Sequence, residues 1–352
     1  MNTGTNRRVP GPSGRGLYSP GRLPAIKPET QHPGGIENNK FLFYVSVGLT
    51  ASGYDGYDHD DAAISALVGQ IHAAGFSDEV KAWFACARTG QVELNPYRPR
   101  GAALAAACFF MDDDYTFDFS HFLSFLKRAG VSDPVGKKDF KSWAVSLPDI
   151  LRDIDGNPAT EGLWNEYCRI INERSSEWQK NMKTVISIVR QFFIDKYKNS
   201  LFEISFAPNL FTPYSTDLVR VRERIIVVSP SPDIESMLHE AMHVAVTKYW
   251  EKFTSHAGEY GLGNFADREK MGKFGYMPDD TAASAARVIE ECFVRALAVI
   301  LSRGNDERLQ AHTDSGFYSV PFIGWNLKQI KISYLNLGEF IDDILIKMRR
   351  EK

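Results

Sequence analysis

The chain has 352 residues, of which 43% are hydrophobic and 12% aromatic, so it can bury one large core or two ordinary ones. Its formal net charge of −3 lacks the basic signature of nucleic-acid binding. No stretch approaches the roughly 18 consecutive apolar residues of a membrane span, and the first residues lack the apolar core of a signal peptide. We therefore expect a cytoplasmic protein with no membrane span and no nucleic-acid partner.

Two different segments open the chain. Residues 1–38 are rich in proline and glycine and carry scattered basic side chains. Such a segment has little apolar surface to bury, so we predict a disordered tail. Residues 41–47 then read Phe-Leu-Phe-Tyr-Val-Ser-Val, an aromatic and β-branched run that indicates a strand.

A helical pattern follows from about residue 59 to residue 200. Asp60 and Asp61 precede the first apolar segment of this region, as at the start of a helix. Apolar residues then recur every three or four positions in several segments, namely 77–88, 101–112, 119–129, 138–153 and 160–198. The last of these is long enough for a helix pair or for one long helix. We predict a mainly helical lobe over 39–200.

The pattern changes near residue 201. Residues 201–206 alternate like a half-buried strand, and residues 224–228 indicate a second strand. Helices are predicted to resume at Ser231 and near Asp280, and an amphipathic helix is predicted over about 336–349. The boundary near residue 200 is soft, so 39–200 and 201–352 form either two lobes or one shared core.

The helix predicted at Ser231 contains His239-Glu240-Ala-Met-His243. Ser231 is the expected N-cap, and Pro232 suits the first helical position. Helix residues four apart lie on one face, so His239 and His243 can direct two imidazoles at one metal ion. Glu240 flanks that ion, where a carboxylate can take a proton from the attacking water. The pattern predicts one zinc ion per chain with Glu240 as general base.

A catalytic zinc ion usually takes a third protein ligand and keeps one position for water. Glu290 and Glu291 are the candidates, because both lie in the apolar segment 281–301, where a carboxylate is costly unless it is paired or metal-bound. Helical periodicity does not choose between them, and a structural salt bridge is the alternative for either one. Arg295, one turn after Glu291, could orient that carboxylate.

A strand, the His239-Glu240-Ala-Met-His243 helix and a glutamate on a later helix together resemble the zincin metallopeptidases with a glutamate ligand, the gluzincins. The spacing of 48 residues (291 − 243) lies in the range of that family. Glu290-Glu291-Cys-Phe resembles its ligand segment, apart from the first residue, where Asn is frequent. The segment from Glu291 to Arg295 also resembles an uncharacterised bacterial family of zincin-like domains. The resemblance, confined to about 225–300, implies Glu291 as third ligand, with Glu290 as the alternative.

Other residues after the motif are further candidates for metal ligands or substrate-binding groups. The HExxHxxGxxH pattern is excluded, because Val246 and Tyr249 stand where it needs glycine and histidine. His256 could reach the metal ion from a loop, but a role beside the substrate oxyanion suits it better, as it suits Tyr260. We therefore predict His256 and Tyr260 as catalytic groups beside the substrate oxyanion, with an ordinary surface or packing role as the alternative for each.

Together these patterns predict an α+β, mostly helical protein. A zincin-like catalytic lobe over 201–352, with a small sheet beside the HExxH helix, would pack with the helical lobe. The predicted activity is that of a zinc metallopeptidase that hydrolyses a peptide or protein substrate. The alternatives are a zinc-binding regulatory or interaction protein with a degenerate protease cleft, and a helical scaffold in which the motif is coincidental. The sequence determines neither the substrate nor the oligomeric state.

Overall fold

The computed structural model describes residues 35–53, 61–89, 100–128, 138–193, 203–211, 217–221, 224–260, 267, 282–330 and 335–350. The segment Pro33–Lys352 forms one compact unit. Its architecture is α+β and mostly helical, with one small mixed sheet among the described residues, so the predicted fold class is confirmed. The predicted tail, 1–38, lies outside the described residues except for its last four positions.

The described chain before the sheet is mainly helical. Its helices, α1 to α9, are Lys40–Ala51, Ala62–Ala73, Asp78–Thr89, Arg100–Ala107, Phe119–Arg128, Lys138–Val145, Leu147–Asp155, Thr160–Glu173 and Ser175–Phe193. The helical segments predicted between 59 and 200 are confirmed. The segment 138–153 holds two helices, α6 and α7, and the segment 160–198 holds the pair α8 and α9.

The strand predicted at 41–47 is wrong, because these residues lie in α1. All ten residues from Phe41 to Thr50 are buried. A helix that is apolar all round has no polar face, so its sequence carries no helical period. Asn39 starts the helix, since its side-chain oxygen accepts a 2.9 Å hydrogen bond from the backbone N–H of Leu42.

The sheet has three described strands: β1, Glu203–Pro208; β2, Asp217–Val221; and β3, Arg224–Ser229. Their order is β1-β3-β2, with β1 parallel and β2 antiparallel to β3. The strands predicted at 201–206 and 224–228 are confirmed as β1 and β3, whereas β2 was not predicted. Residues 36 and 37 add a short parallel bridge to β1 at Phe206.

The sheet separates two hydrophobic cores. Ile226 and Val228 of β3 belong to the N-terminal core, which contains the buried apolar residues of α1 to α8. Ile225 and Val227 belong to the C-terminal core, which contains those of α9 and of the helices after β3. This division follows from the strand, because successive side chains point to opposite faces.

After the sheet the described chain is helical again. These helices, α10 to α15, are Ile234–Val246, Trp250–Tyr260, Ala282–Leu301, Asp306–Asp314, Ser319–Lys328 and Leu337–Arg350. The helices predicted from Ser231, near Asp280 and over 336–349 are confirmed as α10, α12 and α15, whereas α11, α13 and α14 were not predicted. No helix in the described part of the chain is long and apolar enough to cross a membrane.

The central helix of the chain after the sheet is α12, with 15 of its 20 residues buried. It packs against α10, α11 and α14. Ala285 and Ala286 have no exposed surface, and such small side chains let neighbouring helices approach closely. Because α12 is surrounded in this way, its two carboxylates, Glu290 and Glu291, are carried into the interior beside α10.

Candidate metal centre

The N-cap of helix α10 lies two residues after Ser231, the expected cap. This N-cap is Asp233, whose Oδ2 accepts a 2.8 Å hydrogen bond from the backbone N–H of Ser236. Ser231 and Pro232 precede the helix, so their predicted positions as cap and first helical residue are wrong. Their carbonyl oxygens accept hydrogen bonds from the side chains of Ser229 and Asn181, respectively, which holds this segment before the helix starts.

His239 and His243 lie one turn apart on α10, as the spacing predicted. Their ring centroids are 5.1 Å apart, and the ring planes cross at 80°. The opposite face of the helix, which includes Met237, Leu238 and Met242, is buried in the C-terminal core. This packing directs the two half-buried imidazoles away from the core and towards α12.

Glu291 of α12 faces both imidazoles. Its Oε1 lies 3.3 Å from Nε2 of His239, and its Oε2 lies 3.4 Å from Nε2 of His243. One ligand atom from each of the three side chains lies within 4.8 Å of the other two. Among the described residues, this is the one group of histidine, cysteine or carboxylate side chains that could hold a metal ion.

The spacing and chemistry of these donors fit zinc. Tetrahedral zinc with bonds of about 2.0–2.2 Å separates neighbouring ligand atoms by about 3.3–3.5 Å. Each of the two N···O distances, 3.3 Å to Oε1 and 3.4 Å to Oε2, is close to that separation. They are longer than the roughly 2.9–3.0 Å of a typical N–H···O hydrogen bond. Two neutral imidazoles and one carboxylate form a donor set that zinc prefers in catalytic sites.

Glu290 occupies a different position from Glu291. Its Oε1 lies 3.5 Å from Nδ1 of His243, the ring nitrogen that faces away from Glu291. The same oxygen accepts a hydrogen bond from the hydroxyl of Thr247. Helical periodicity left the two glutamates equivalent, but the structure brings Glu291 to both histidines and Glu290 to the outer side of one. A carboxylate in that outer position orients a ligating imidazole.

Charge in the cluster is balanced by close contacts. Burial would raise the pKa of Glu291, but Arg295 and His239 hold that pKa well below its usual value. Burial would lower the pKa of His243, but its contacts with Glu290 and Glu291 hold it well above the usual value. Burial lowers the pKa of His239, against the opposing charge of Glu291. The group therefore combines an ionised carboxylate with imidazoles whose proton affinities differ.

Glu240 lies at the edge of the cluster without belonging to it. Its Oε1 is 3.8 Å from Nε2 of His239, and its side chain is 13% exposed. The side chain is therefore partly open to solvent and borders the candidate ligands. Glu240 is therefore placed where a base could reach a water molecule beside the three candidate ligands.

His256 and Tyr260 lie on α11 rather than on a loop. His256 is only 2% exposed, and its Nδ1 accepts a 3.5 Å hydrogen bond from Nε of Arg349 on α15. It is not a member of the metal-binding group. Tyr260 ends α11, and its side chain lies outside the described part of the structure. Their contact with substrate stays a prediction.

His312 of α13 was not predicted as part of the site. Its Nδ1 lies 3.3 Å from Nη1 of Arg295, and its Nε2 lies 3.9 Å from Oε1 of Glu235. Burial, together with the charges of Arg295 and His239, lowers the pKa of His312 to about 4. Glu235 could have been found from the sequence, because it precedes His239 by one helical turn. His312 gave no such signal, since α13 itself was missed.

A cleft of about 660 Å³ opens at the start of α10. Glu235 lines it, together with Arg308, which lies 2.6 Å from the Glu235 carboxylate. The cleft has the size of a small-molecule or side-chain pocket. It begins one helical turn from His239, but its lining does not include the three candidate ligands.

Comparisons of the chain with protein-family models, with curated proteins and with solved structures find no match. The interpretation of the site therefore depends on the motif and on the geometry of the described residues.

Proposed function

We propose that this protein is a zinc-dependent metallopeptidase of the glutamate-ligand type, which hydrolyses peptide bonds in a peptide or protein substrate. The observation that carries the proposal is the meeting of His239 and His243 with Glu291 at distances that suit one tetrahedral ion. The position of Glu240 supports it further, because a general base is needed beside that ion. The relation to the gluzincins is part of the proposal and depends on the motif and its spacing.

Each residue of the centre has one role in this proposal. His239 and His243 hold zinc through their Nε2 atoms, and Glu291 holds it through its carboxylate. Zinc, when bound, lowers the pKa of water towards neutrality and polarises the substrate carbonyl. Glu240 accepts the proton from the attacking water and later donates it to the leaving amine. His256 and Tyr260 are proposed to stabilise the developing oxyanion of the substrate.

The first experiment measures zinc stoichiometry in the purified protein, in three variants of the candidate site and in one control variant. We expect about one zinc ion per chain in the wild type and in Glu290→Ala, and a large loss of zinc in His239→Ala and Glu291→Ala. Glu166→Ala is the matched control, because Glu166 is a carboxylate paired with an arginine on the surface of α8. A wild-type protein that takes up no zinc, even after incubation with the metal, would exclude this function.

The second experiment separates an enzyme from a zinc-binding regulatory protein. Glu240→Gln keeps the size of the side chain but removes the base, so turnover should fall by about 10²–10⁴-fold while zinc content is unchanged. The assay uses a mixture of fluorescence-quenched peptides and follows their cleavage by mass. If the zinc-loaded wild type cleaves no peptide faster than Glu240→Gln does, the peptidase proposal fails and the regulatory alternative gains support.

A further inference from the structure

One of the candidate ligands, His243, has a carboxylate on each side of its ring. Its Nε2 lies 3.4 Å from Oε2 of Glu291, and its Nδ1 lies 3.5 Å from Oε1 of Glu290. Nε2 therefore faces the candidate metal position, whereas Nδ1 faces a carboxylate that is not one of the three candidate ligands.

The Glu290 carboxylate is itself held by Thr247. The hydroxyl of Thr247 donates a hydrogen bond to Oε1 of Glu290, the same oxygen that faces Nδ1 of His243. Thr247 follows His243 by four residues at the end of α10, where its backbone N–H donates to the carbonyl of His243. The threonine and the histidine therefore present their side chains to Glu290 from one face of the same helix.

We propose that Thr247 and Glu290 are positioning residues, which hold the proton of the His243 ring on Nδ1 and so leave Nε2 to bind the metal ion. The inference deepens the proposed function, because it assumes that the centre binds zinc. Neither positioning residue touches the ion: Thr247 acts through Glu290, and Glu290 acts through His243.

The chemistry of imidazole gives the contact with Glu290 its effect. A neutral imidazole carries one proton, so one ring nitrogen donates a hydrogen bond while the other accepts one or binds a metal ion. An ionised carboxylate only accepts hydrogen bonds, so Glu290 favours the tautomer with the proton on Nδ1. In that tautomer the lone pair of His243 lies on Nε2, the nitrogen on the side of the candidate metal position.

The hydroxyl of Thr247 restricts where the Glu290 carboxylate lies. A glutamate side chain loses considerable rotamer freedom when it is fixed in one place, so a second donor to the same oxygen helps to define its position. Thr247 is exposed, whereas the side chain of Glu290 is only 11% exposed. A ligating histidine that is already held in the correct tautomer and orientation binds its metal ion more tightly.

The test measures two quantities: the zinc Kd, by competition with a chelator, and the NMR signal of the His243 Nδ1 proton in zinc-loaded protein with isotope-labelled histidine. Glu290→Leu, which removes the acceptor, should raise the Kd by about 10–100-fold. Thr247→Val, which removes only the hydroxyl, should raise it by about 3–10-fold. Both variants should speed the exchange of this ring proton with solvent, and both should still take up one zinc ion when zinc is in large excess.

Two further variants distinguish positioning from a general structural role. Thr247→Ser keeps the hydroxyl, so it should retain the Kd and the ring-proton signal of the wild type. Thr184→Val is the control, because Thr184 is also an exposed helical threonine, and its hydroxyl donates to the backbone carbonyl of Lys180. This control should leave both quantities unchanged.

The outcomes that would overturn the inference are distinct from failure of the proposed function. If Glu290→Leu and Thr247→Val both keep the Kd and the proton exchange of the wild type, the inference is overturned. If Glu290→Leu does not fold, the result for the exposed Thr247 decides alone. Complete loss of zinc from folded Glu290→Leu would also overturn it, because Glu290 would then be a ligand. A wild type that binds no zinc contradicts the proposed function itself.

Discussion

The two cores on either side of the sheet bury different kinds of side chain. In the N-terminal core, the described buried polar groups are neutral: the Ser46 hydroxyl contacts the carbonyl of Leu42 and the side chain of Asn209, and the Tyr167 hydroxyl contacts the carbonyl of Pro208. In the C-terminal core, two carboxylates, Glu290 and Glu291, are buried within one helix. The two carboxylates make the C-terminal core more costly to form, because burying a charge without a partner costs far more free energy than burying a hydroxyl.

The partners of the buried charges explain how the C-terminal core accommodates them. Glu290 contacts His243 and Thr247, and Glu291 contacts both motif histidines and Arg295. Such a network adds little to stability by comparison with an apolar core of the same volume. The N-terminal core therefore contributes mainly to stability, whereas the C-terminal core contains a network of buried charged side chains that adds little to stability. Three predictions test this contrast.

The largest expected effect lies in the N-terminal core. Phe43 has no exposed surface, and its ring centroid lies 5.2 Å from that of Trp164 and 4.9 Å from that of Tyr167. Phe43→Ala should lower the free energy of unfolding by about 3–5 kcal/mol, measured by urea titration. The folded variant should keep the zinc content of the wild type. Loss of zinc from folded Phe43→Ala would mean that packing in the N-terminal core also determines zinc binding in the C-terminal core.

Metal removal should destabilise the C-terminal core. The loss of unfolding free energy should be comparable to that expected for Phe43→Ala, but it should depend on the zinc concentration. Zinc at about 1,000 times its Kd stabilises a folded protein that binds it by about 4 kcal/mol. Adding a chelator to the wild type should therefore lower the melting temperature, and adding excess zinc should restore it. Glu291→Ala should show no such response, whereas Glu166→Ala should respond as the wild type does. An equal response in Glu291→Ala and the wild type would remove Glu291 from the ligands.

The smallest expected changes in stability are those at two helical glycines. A Cβ at Gly48 of α1 would overlap the ring of Phe84, whereas a Cβ at Gly69 of α2 would meet nothing within 4 Å. Gly48→Ala should cost about 1–3 kcal/mol through overpacking. Gly69→Ala should gain about 0.5–1 kcal/mol, because alanine suits a helix better than glycine. Thermal unfolding of both variants tests this, and equal shifts would contradict the tight contact between α1 and Phe84.

Several elements of the fold could not be predicted because tertiary packing overrides local signals. The sequence of α14 contains Pro321 and Gly324, which ordinarily interrupt helices. Pro321 is tolerated because it lies in the first turn, where its N–H is not needed. Gly324 is required because a Cβ there would lie 2.5 Å from a methyl group of Leu309. The prediction for α1 is wrong for the opposite reason, since its buried apolar run, Phe41 to Thr50, has no polar face and therefore no visible helical period.

Some features of the candidate site likewise follow from the sequence, whereas others depend on tertiary packing. The four-residue spacing of His239 and His243 determined that both imidazoles share one face of a helix, because helix geometry is local. The sequence also marked Glu290 and Glu291 as costly to bury. Only the tertiary structure decided which of them meets both histidines, and that His312 supports Arg295. Those contacts depend on how α10, α12 and α13 pack against one another, and such packing is set by the shapes of many side chains far apart in the chain.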